Sequence, residues 1–193
     1  MNTTAKQQID EVGSVIAVEI DRAAVEGTGV GDEPTGILNQ ADVGVVLGGV
    51  NGAAPTQANI VDLESAVSVP NALIGRLVYV TNADAVGKLK QTLLDAGSGR
   101  FLLEGNMTND RQSLLMSAHW THLSNSVPND LTKGTGTNLS AIIFGNWSDL
   151  IIGEWDGLDL QVNPYSLDTT GQVPIMSFHP LISRSDTRRA SPS

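Results

Sequence analysis

Apolar residues recur every three or four positions at the start of the chain. Ile9, Val12, Ile16, Ile20 and Ala23 fall on one side of a helical wheel, while Glu11, Glu19, Arg22 and Glu26 fall elsewhere. The spacing predicts a helix of about five turns. Gly13 weakens it a little, and Gly27 stands where a left-handed C-cap would stop it. A second helix is predicted where Thr56 and Asn59 can cap a run in which Ile60, Leu63 and Val67 share a face, with Pro70 marking its end. The period then shortens. RLVYVTN (76–82) is rich in β-branched residues and reads as a buried strand, after which Asn82 can cap a short helix carrying Val86, Leu89 and Leu93.

DAGSGR (95–100) breaks that helix. FLLEGNMTNDRQ (101–112) reads as an exposed excursion or a hairpin with Gly105 and Asn106 at its tip, and SLLMSAHWTHL (113–123) as extended. A polar loop, SNSVPNDLTKGTGTNLS (124–140), follows, kept pliable by Gly134 and Gly136. SAIIFGNW (140–147) reads as a strand, WSDLIIGEW (147–155) as a two-turn helix, and GLDLQVNPY (157–165) as a strand with Leu158, Leu160 and Val162 on one side. Pro164 ends that strand, and Thr170-Gly171 suggests a turn into Gln172 and Val173. Helices and strands mix without strict alternation and without a repeat period, so the fold class is α+β, with no evident domain linker.

At 193 residues and 20.3 kDa the chain suits one compact domain, or one domain with an appendage. Aromatics are only 4%, so Val, Ile, Leu and Ala must build the core. Eleven Lys and Arg against 21 Asp and Glu leave a net charge of -10, which argues against a surface that grips nucleic-acid phosphates. Cysteine is absent, excluding disulfides and thiolate metal sites. Neither a signal-peptide pattern nor an apolar run of membrane-spanning length is present, and the expectation is a soluble intracellular protein.

Candidate chemistry is sparse. GTGVGDEPTGIL (27–38) invites comparison with a phosphate-cradling loop, yet it follows a helix rather than a strand. Its third glycine, Gly31, comes one place early, and Asp32 occupies the position where a glycine is required. No Gly-Lys-Ser/Thr follows, so a Walker loop is also missing. His119 and His122 lie in an extended segment, where a separation of three points them to opposite faces, so structural roles are expected rather than a shared metal. Asp149, Glu154, Asp156 and Asp159 lack the alternation of a calcium loop and read as helix-end and turn acids. Trp147 and Trp155 bracket one short segment and read as packing residues. No serine elbow is found. No residue is assigned a catalytic, cofactor-binding or metal-binding role, and no cofactor is expected.

Three stretches together resemble the major capsid proteins of tailed bacteriophages, the family with the Hong Kong 97-type fold. The first is the opening helix running into GTGVGDEPTGIL, similar to the family's spine helix, Gly-x-Gly turn and Pro-x-Gly-Ile-Leu. The second is RLVYVTNADAVGKLKQ with the later SGRFLL, similar to the strand, helix and glycine loop of the A domain. The third, VPNDLTKGTGTNLSAIIFGNWSDLIIGEWDGLDLQVNPYS, is the most specific, because proline, glycines, tryptophan and asparagine fall in family order. Together they span roughly residues 9–170.

The resemblance implies a non-enzymatic shell subunit that assembles with copies of itself, as pentamers and hexamers in an intact member, into an icosahedral head enclosing DNA without sequence-specific contact. Neither a membrane nor a small-molecule substrate is expected, and localisation would be the virion capsid, or the host bacterial cytoplasm when expressed from a prophage. It implies a spine-helix remnant over 1–26, an A domain over 27–157 and a return strand of the peripheral domain over 158–175. The glycines at 27, 29 and 31 would turn the chain from the first piece into the second. Two departures suggest a truncated prophage copy, perturbed in assembly. The family's N-terminal arm and E-loop, with the lysine that crosslinking members carry there, would precede the spine helix, yet Met1 lies almost at that helix. Residues 176–193 are atypical, and synonymous codons for 175–193 chosen to be read from the third base give a strand-like ending similar to the family's, so a frameshifted, incidental tail is expected. The alternatives are the shell protein of a bacterial nanocompartment and, from another class, a small-ligand or nucleotide-binding enzyme using the glycines at 27–31.

Overall fold

A computed structural model describes residues 3–41, 43–69, 75–95, 97, 99–104, 113–115, 119–154, 159–162, 175–178 and 181–185. The first helix, α1 (Thr3–Glu26), starts before the predicted apolar stripe and ends where Gly27 was expected to stop it. Val12, Ile16 and Ile20 are half-buried along it, whereas Val15 and Val18 on the other side stand in solvent. Among the residues whose burial is described, from Glu11 on, the helix sinks fully into the molecule at Ala23, Ala24 and Val25.

After a short 3-10 turn (Ile37–Asn39) and an irregular stretch, α2 (Gln57–Ser68) opens on a reciprocal cap. The Thr56 hydroxyl accepts from the Asn59 amide at 3.3 Å, and the Asn59 side chain accepts from the Thr56 amide at 3.0 Å. Two orphan donors of the helix start are thereby satisfied. β1 (Leu77–Thr81) then leads into α3 (Ala83–Gln91), whose first turn holds Asp84 and whose last holds Lys88 and Lys90, signs that suit the helix dipole. The helix stops two residues short of Leu93, which instead bridges Phe101 across an antiparallel contact.

The remaining strands complete the sheet. β2 (Leu103–Glu104) and β3 (Ser113–Leu115) are antiparallel, as a hairpin requires; its expected tip at Gly105 and Asn106 lies outside the described residues. Leu102 and Leu103 are buried, so this segment begins in the core and not as an exposed excursion. β4 (Trp120–Leu123) runs antiparallel to β3 and parallel to β1, and β7 (Ile142–Asn146) closes the other side of β1 in antiparallel register. The order is β2-β3-β4-β1-β7, so β1 is flanked on both sides, and its β-branched residues suit that place.

The core lies between this sheet and the two helices: Ile60, Tyr79, Leu89, Leu102, Leu103 and Phe144, with Leu63, Val67, Val86 and Ile142 around them. Full burial of Leu89 contributes about 2 kcal/mol. Tyr79 faces Phe144 directly across β1 and β7, ring centres 4.3 Å apart, and its hydroxyl donates to Glu64 of α2 at 2.8 Å. One aromatic side chain thus ties the second helix to the central strand.

Further readings need correction. The segment 147–155 is not a two-turn helix. Only Trp147–Asp149 forms a 3-10 turn; Leu150–Glu154 is a strand, β8, paired with β11 (Leu181–Ser185). A short apolar run fits either state, and a partner strand decides it for Ile151 and Ile152. The tail is not incidental at 175–178 and 181–185, because β10 (Ile175–Phe178) pairs with β9 (Asp159–Val162) while β11 pairs with β8 and comes near α1. The expected turn at Thr170 and Gly171 lies outside the described residues.

Finally, the polar loop 124–140 contains a hairpin, β5 (Leu131–Lys133) with β6 (Gly136–Leu139). It is anchored from afar: the Thr135 amide donates to the Asn51 side chain at 3.1 Å, and a Cβ on Gly136 would fall on the Asn51 carbonyl.

Candidate functional site

The glycine cluster at 27–31 is the feature on which the two functional classes divide. α1 delivers the chain into it, with the Gly27 amide completing the last helical hydrogen bond to Ala23 at 3.0 Å. The chain then doubles back, Thr28 bridging Thr35 and the Gly36 amide donating to the Gly27 carbonyl at 2.8 Å. Gly29 and Gly31 take positive φ, 69° and 68°, which glycine adopts without strain. Gly27 does not, contrary to the expected left-handed cap. It is a glycine because a Cβ there would meet the Pro34 carbonyl oxygen at 2.2 Å and that of Ala23 at 2.5 Å. Asn39 finishes the turn by donating its side-chain amide to the carbonyls of Glu26 at 2.9 Å and Gly27 at 3.0 Å. The Glu26 carbonyl is a helix-end acceptor, and the Gly27 carbonyl takes this bond in addition to the one from the Gly36 amide.

The electrostatics run against an anion site. A helix C-terminus carries the negative end of the dipole. The turn's own Glu33 already accepts from the Thr28 amide at 3.0 Å and from the Thr28 hydroxyl at 2.5 Å. Arg22, one helical turn back, reaches Glu33 as well, and also Glu19 and Glu26. The Thr28 hydroxyl, then the Arg22 guanidinium, hold the Glu33 carboxyl down to about 2. Glu19 is lowered through its hydrogen bond to Arg22, and Arg22 is raised by Glu19 and then Glu33. Three carboxylates around one guanidinium leave no surplus positive charge for a phosphate. The cluster serves chain geometry.

The other candidates take structural places. His119 stacks near Tyr79 and Phe144, ring centres 6.4 and 5.1 Å away, on the core side of the sheet. His122 lines a shallow depression on the far side with Arg76, Val78, Val80 and Trp147. The pair points to opposite faces, as their spacing predicts. The Trp147 indole N–H donates to the Val78 carbonyl at 3.1 Å, fixing the strand end after β7. Asp149 is exposed in its 3-10 turn, Glu154 ends β8 and Asp159 begins β9; Asp156 and Trp155 lie outside the described residues. Among the described residues no group of three or more His, Asp and Glu could hold a metal ion.

Asn82 does more than the predicted capping. Its Oδ1 accepts from the Ala85 amide at 2.9 Å, while its Nδ2 donates to the carbonyls of Val127 at 3.4 Å and Pro128 at 2.8 Å. A buried amide therefore joins the start of α3 to the VPND segment 45 residues later, and Asn129 repeats the tie by donating to Asp84 at 2.8 Å. These contacts link two of the stretches whose co-occurrence carried the resemblance.

Large aliphatic side chains left in solvent are numerous: Val15, Val18, Val45, Leu47, Val50, Val69 and Ile151 among them. Scattered singly, such residues are ordinary on a protein surface; only those that lie together carry an argument.

Comparison with known proteins follows the same lines. Residues 9–180 match the phage capsid family. The chain belongs to that family. As a capsid-family chain it is 26% identical over 155 residues to the major capsid protein of Halomonas phage phiHAP-1, a match covering 80% of this chain and 22% of that protein. Its fold is shared with the capsid of a native GTA particle computed with C5 symmetry (TM-score 0.65) and with that of the empty particle (TM-score 0.64). Each is 21% identical, and the match covers 93% of this chain and 61% of the other. The α+β, Hong Kong 97-type fold expected from the sequence is thus found. This capsid-family chain spans about a fifth of the curated relative and about three-fifths of the solved chains. Among the described residues no helix is long and apolar enough to cross a membrane.

Proposed function

We propose that this chain is a structural subunit of a bacteriophage or prophage head, associating with copies of itself into an icosahedral shell that encloses DNA. The observation that carries the reading is the capsid-family match over 9–180, joined to a shared capsid fold over 93% of the chain. In this proposal α1 is the lower part of the spine helix, residues 27–157 form the A domain, and 158–175 return toward the peripheral domain. The turn closed by Glu33 and Asn39 sets the angle between the first two. No catalytic step is assigned to any residue. The net charge of -10 gives DNA no adhesive wall, so packaged DNA is enclosed without being gripped. The subunit would reside in the virion head and be made in the host cytoplasm.

Two observations favour this over the alternatives. The curated relative is a phage protein, which supports a head rather than a nanocompartment. The Thr28 amide and hydroxyl are held by Glu33, which leaves a nucleotide enzyme without its phosphate loop. Static light scattering over a concentration series tests the proposal, with nucleotides and divalent ions titrated in parallel. Growth of the mean mass to a pentamer, a hexamer or larger, with no ligand heat, is expected. A monomer that binds a nucleotide saturably at micromolar concentration would overturn it.

A further inference from the structure

We infer that residues 43–50, with Val69 beside them, form a strip on which a second copy of this chain docks, an inference that rests on the self-association proposed above. Val45 is 74% exposed, Leu47 61% and Val50 84%, and Val69 at the end of α2 is 84% exposed. The segment is irregular, with bends at Val43 and Gly48, and belongs to no described sheet; Val45 and Leu47 are exposed and Val46 between them is half-buried. It is fixed at both ends. Gly44 runs so close over α2 that a Cβ there would lie 3.3 Å from Ala66, and Val69 follows Ala66 by one helical turn. At the other end Asn51 holds the Thr135 amide of the β5–β6 hairpin, while Gly49 and Gly52 turn the backbone at positive φ, 120° and 76°. An apolar strip fixed before association loses little chain entropy on docking.

Charge identifies the occupant. A chain of net charge -10 repels its own copies, so two of them meet at least cost where charge is missing. The nineteen residues from Val43 to Val61 carry no Asp, Glu, Lys or Arg and form the longest uncharged run in the sequence. An apolar, uncharged, preformed strip on a capsid-family chain is where another, equally acidic copy meets it with the least repulsion. A cationic partner would instead be drawn to the acids elsewhere.

The test compares the wild-type chain with Leu47→Glu and Val50→Glu by sedimentation velocity, with circular-dichroism melts as the folding control. Because the sequence contains no cysteine, Val45→Cys adds a single thiol whose maleimide labelling reports burial directly. Each glutamate should raise the concentration at which copies associate by about 100-fold or more, since an unpaired carboxylate would be buried. Melting should not change. Thiol labelling should slow roughly tenfold as the protein associates. If the wild type associates, both glutamate variants match it and labelling does not slow, the strip is refuted while self-association stands. A wild type that stays monomeric at every concentration overturns both. Protection of the thiol by phosphatidylcholine vesicles without self-association would assign the strip to a lipid surface and refute the inference. If a glutamate variant fails to fold, the labelling rate decides alone.

Discussion

Replacing Gly36 by alanine isolates the close crossing at the end of α1. Gly36 has φ -77° and ψ 166°, an ordinary extended conformation, so alanine costs nothing in backbone preference. The cost is contact. A Cβ there would lie 2.4 Å from the Gly27 nitrogen, 2.7 Å from the Glu26 nitrogen and 2.7 Å from the Val25 carbonyl carbon. All three are backbone atoms of the helix end, and none can rotate away. Overpacking of this kind costs about 1–3 kcal/mol, and the upper end applies where backbone must move. For a domain of this size about 3 kcal/mol lowers Tm by roughly 6–12 °C. Gly31→Ala is the control. Gly31 has φ 68° with no neighbouring atom within 4 Å, so only the left-handed conformation is penalised. That penalty is about 1–2 kcal/mol, offset in part by about 0.4–1 kcal/mol of unfolded-state entropy. Differential scanning calorimetry should therefore rank wild type above Gly31→Ala above Gly36→Ala. A Gly36→Ala protein melting within about 1 °C of wild type would refute the close crossing and the geometric role of the glycine cluster.

Other substitutions probe separate ties. Asn82→Asp should be at least as damaging as Asn82→Ala, about 2–4 kcal/mol by urea denaturation, although Asp is an ordinary N-cap: its second oxygen would face the Val127 and Pro128 carbonyls instead of donating to them. Trp147→Phe keeps most of the ring but loses the bond to Val78 and should lower stability by about 1–2 kcal/mol in the same assay. Glu33 sits at about 2 in the folded chain, below its ordinary 4.5, so its contribution is complete above about pH 4.5 and is lost as pH falls through about 2. Glu33→Gln should accordingly flatten the acid limb of stability between those values, and an unchanged limb would show that the clasp with Thr28 and Arg22 is not formed.

Local signals carried much of the fold. The Thr56–Asn59 cap, the Asn82 cap and the LVYVT strand are each written within a few residues, and each forms where its pattern places it. Elements decided by distant partners were less legible. Ile151 and Ile152 could be helix or strand until Leu181–Ser185 is alongside them, and that partner lies in the segment expected to be incidental. The β5–β6 hairpin has little apolar alternation and depends on Asn51, 84 residues before Thr135. Gly27 was read as a conformational glycine but is a packing glycine, because its neighbour Pro34 returns only through the tertiary turn. Outward aliphatics such as Val45 and Leu47 also look like core residues in a sequence, since nothing local marks them as exposed.

Cryo-electron microscopy of the purified chain at its highest soluble concentration tests the central claim most directly. The account predicts copies arranged about a five-fold or six-fold axis, each with α1 leading into the lobe through the Gly27–Gly36 crossing. Particles that remain single, or that pair without such an axis and hold a bound anion against the amides of residues 27–31, would contradict it.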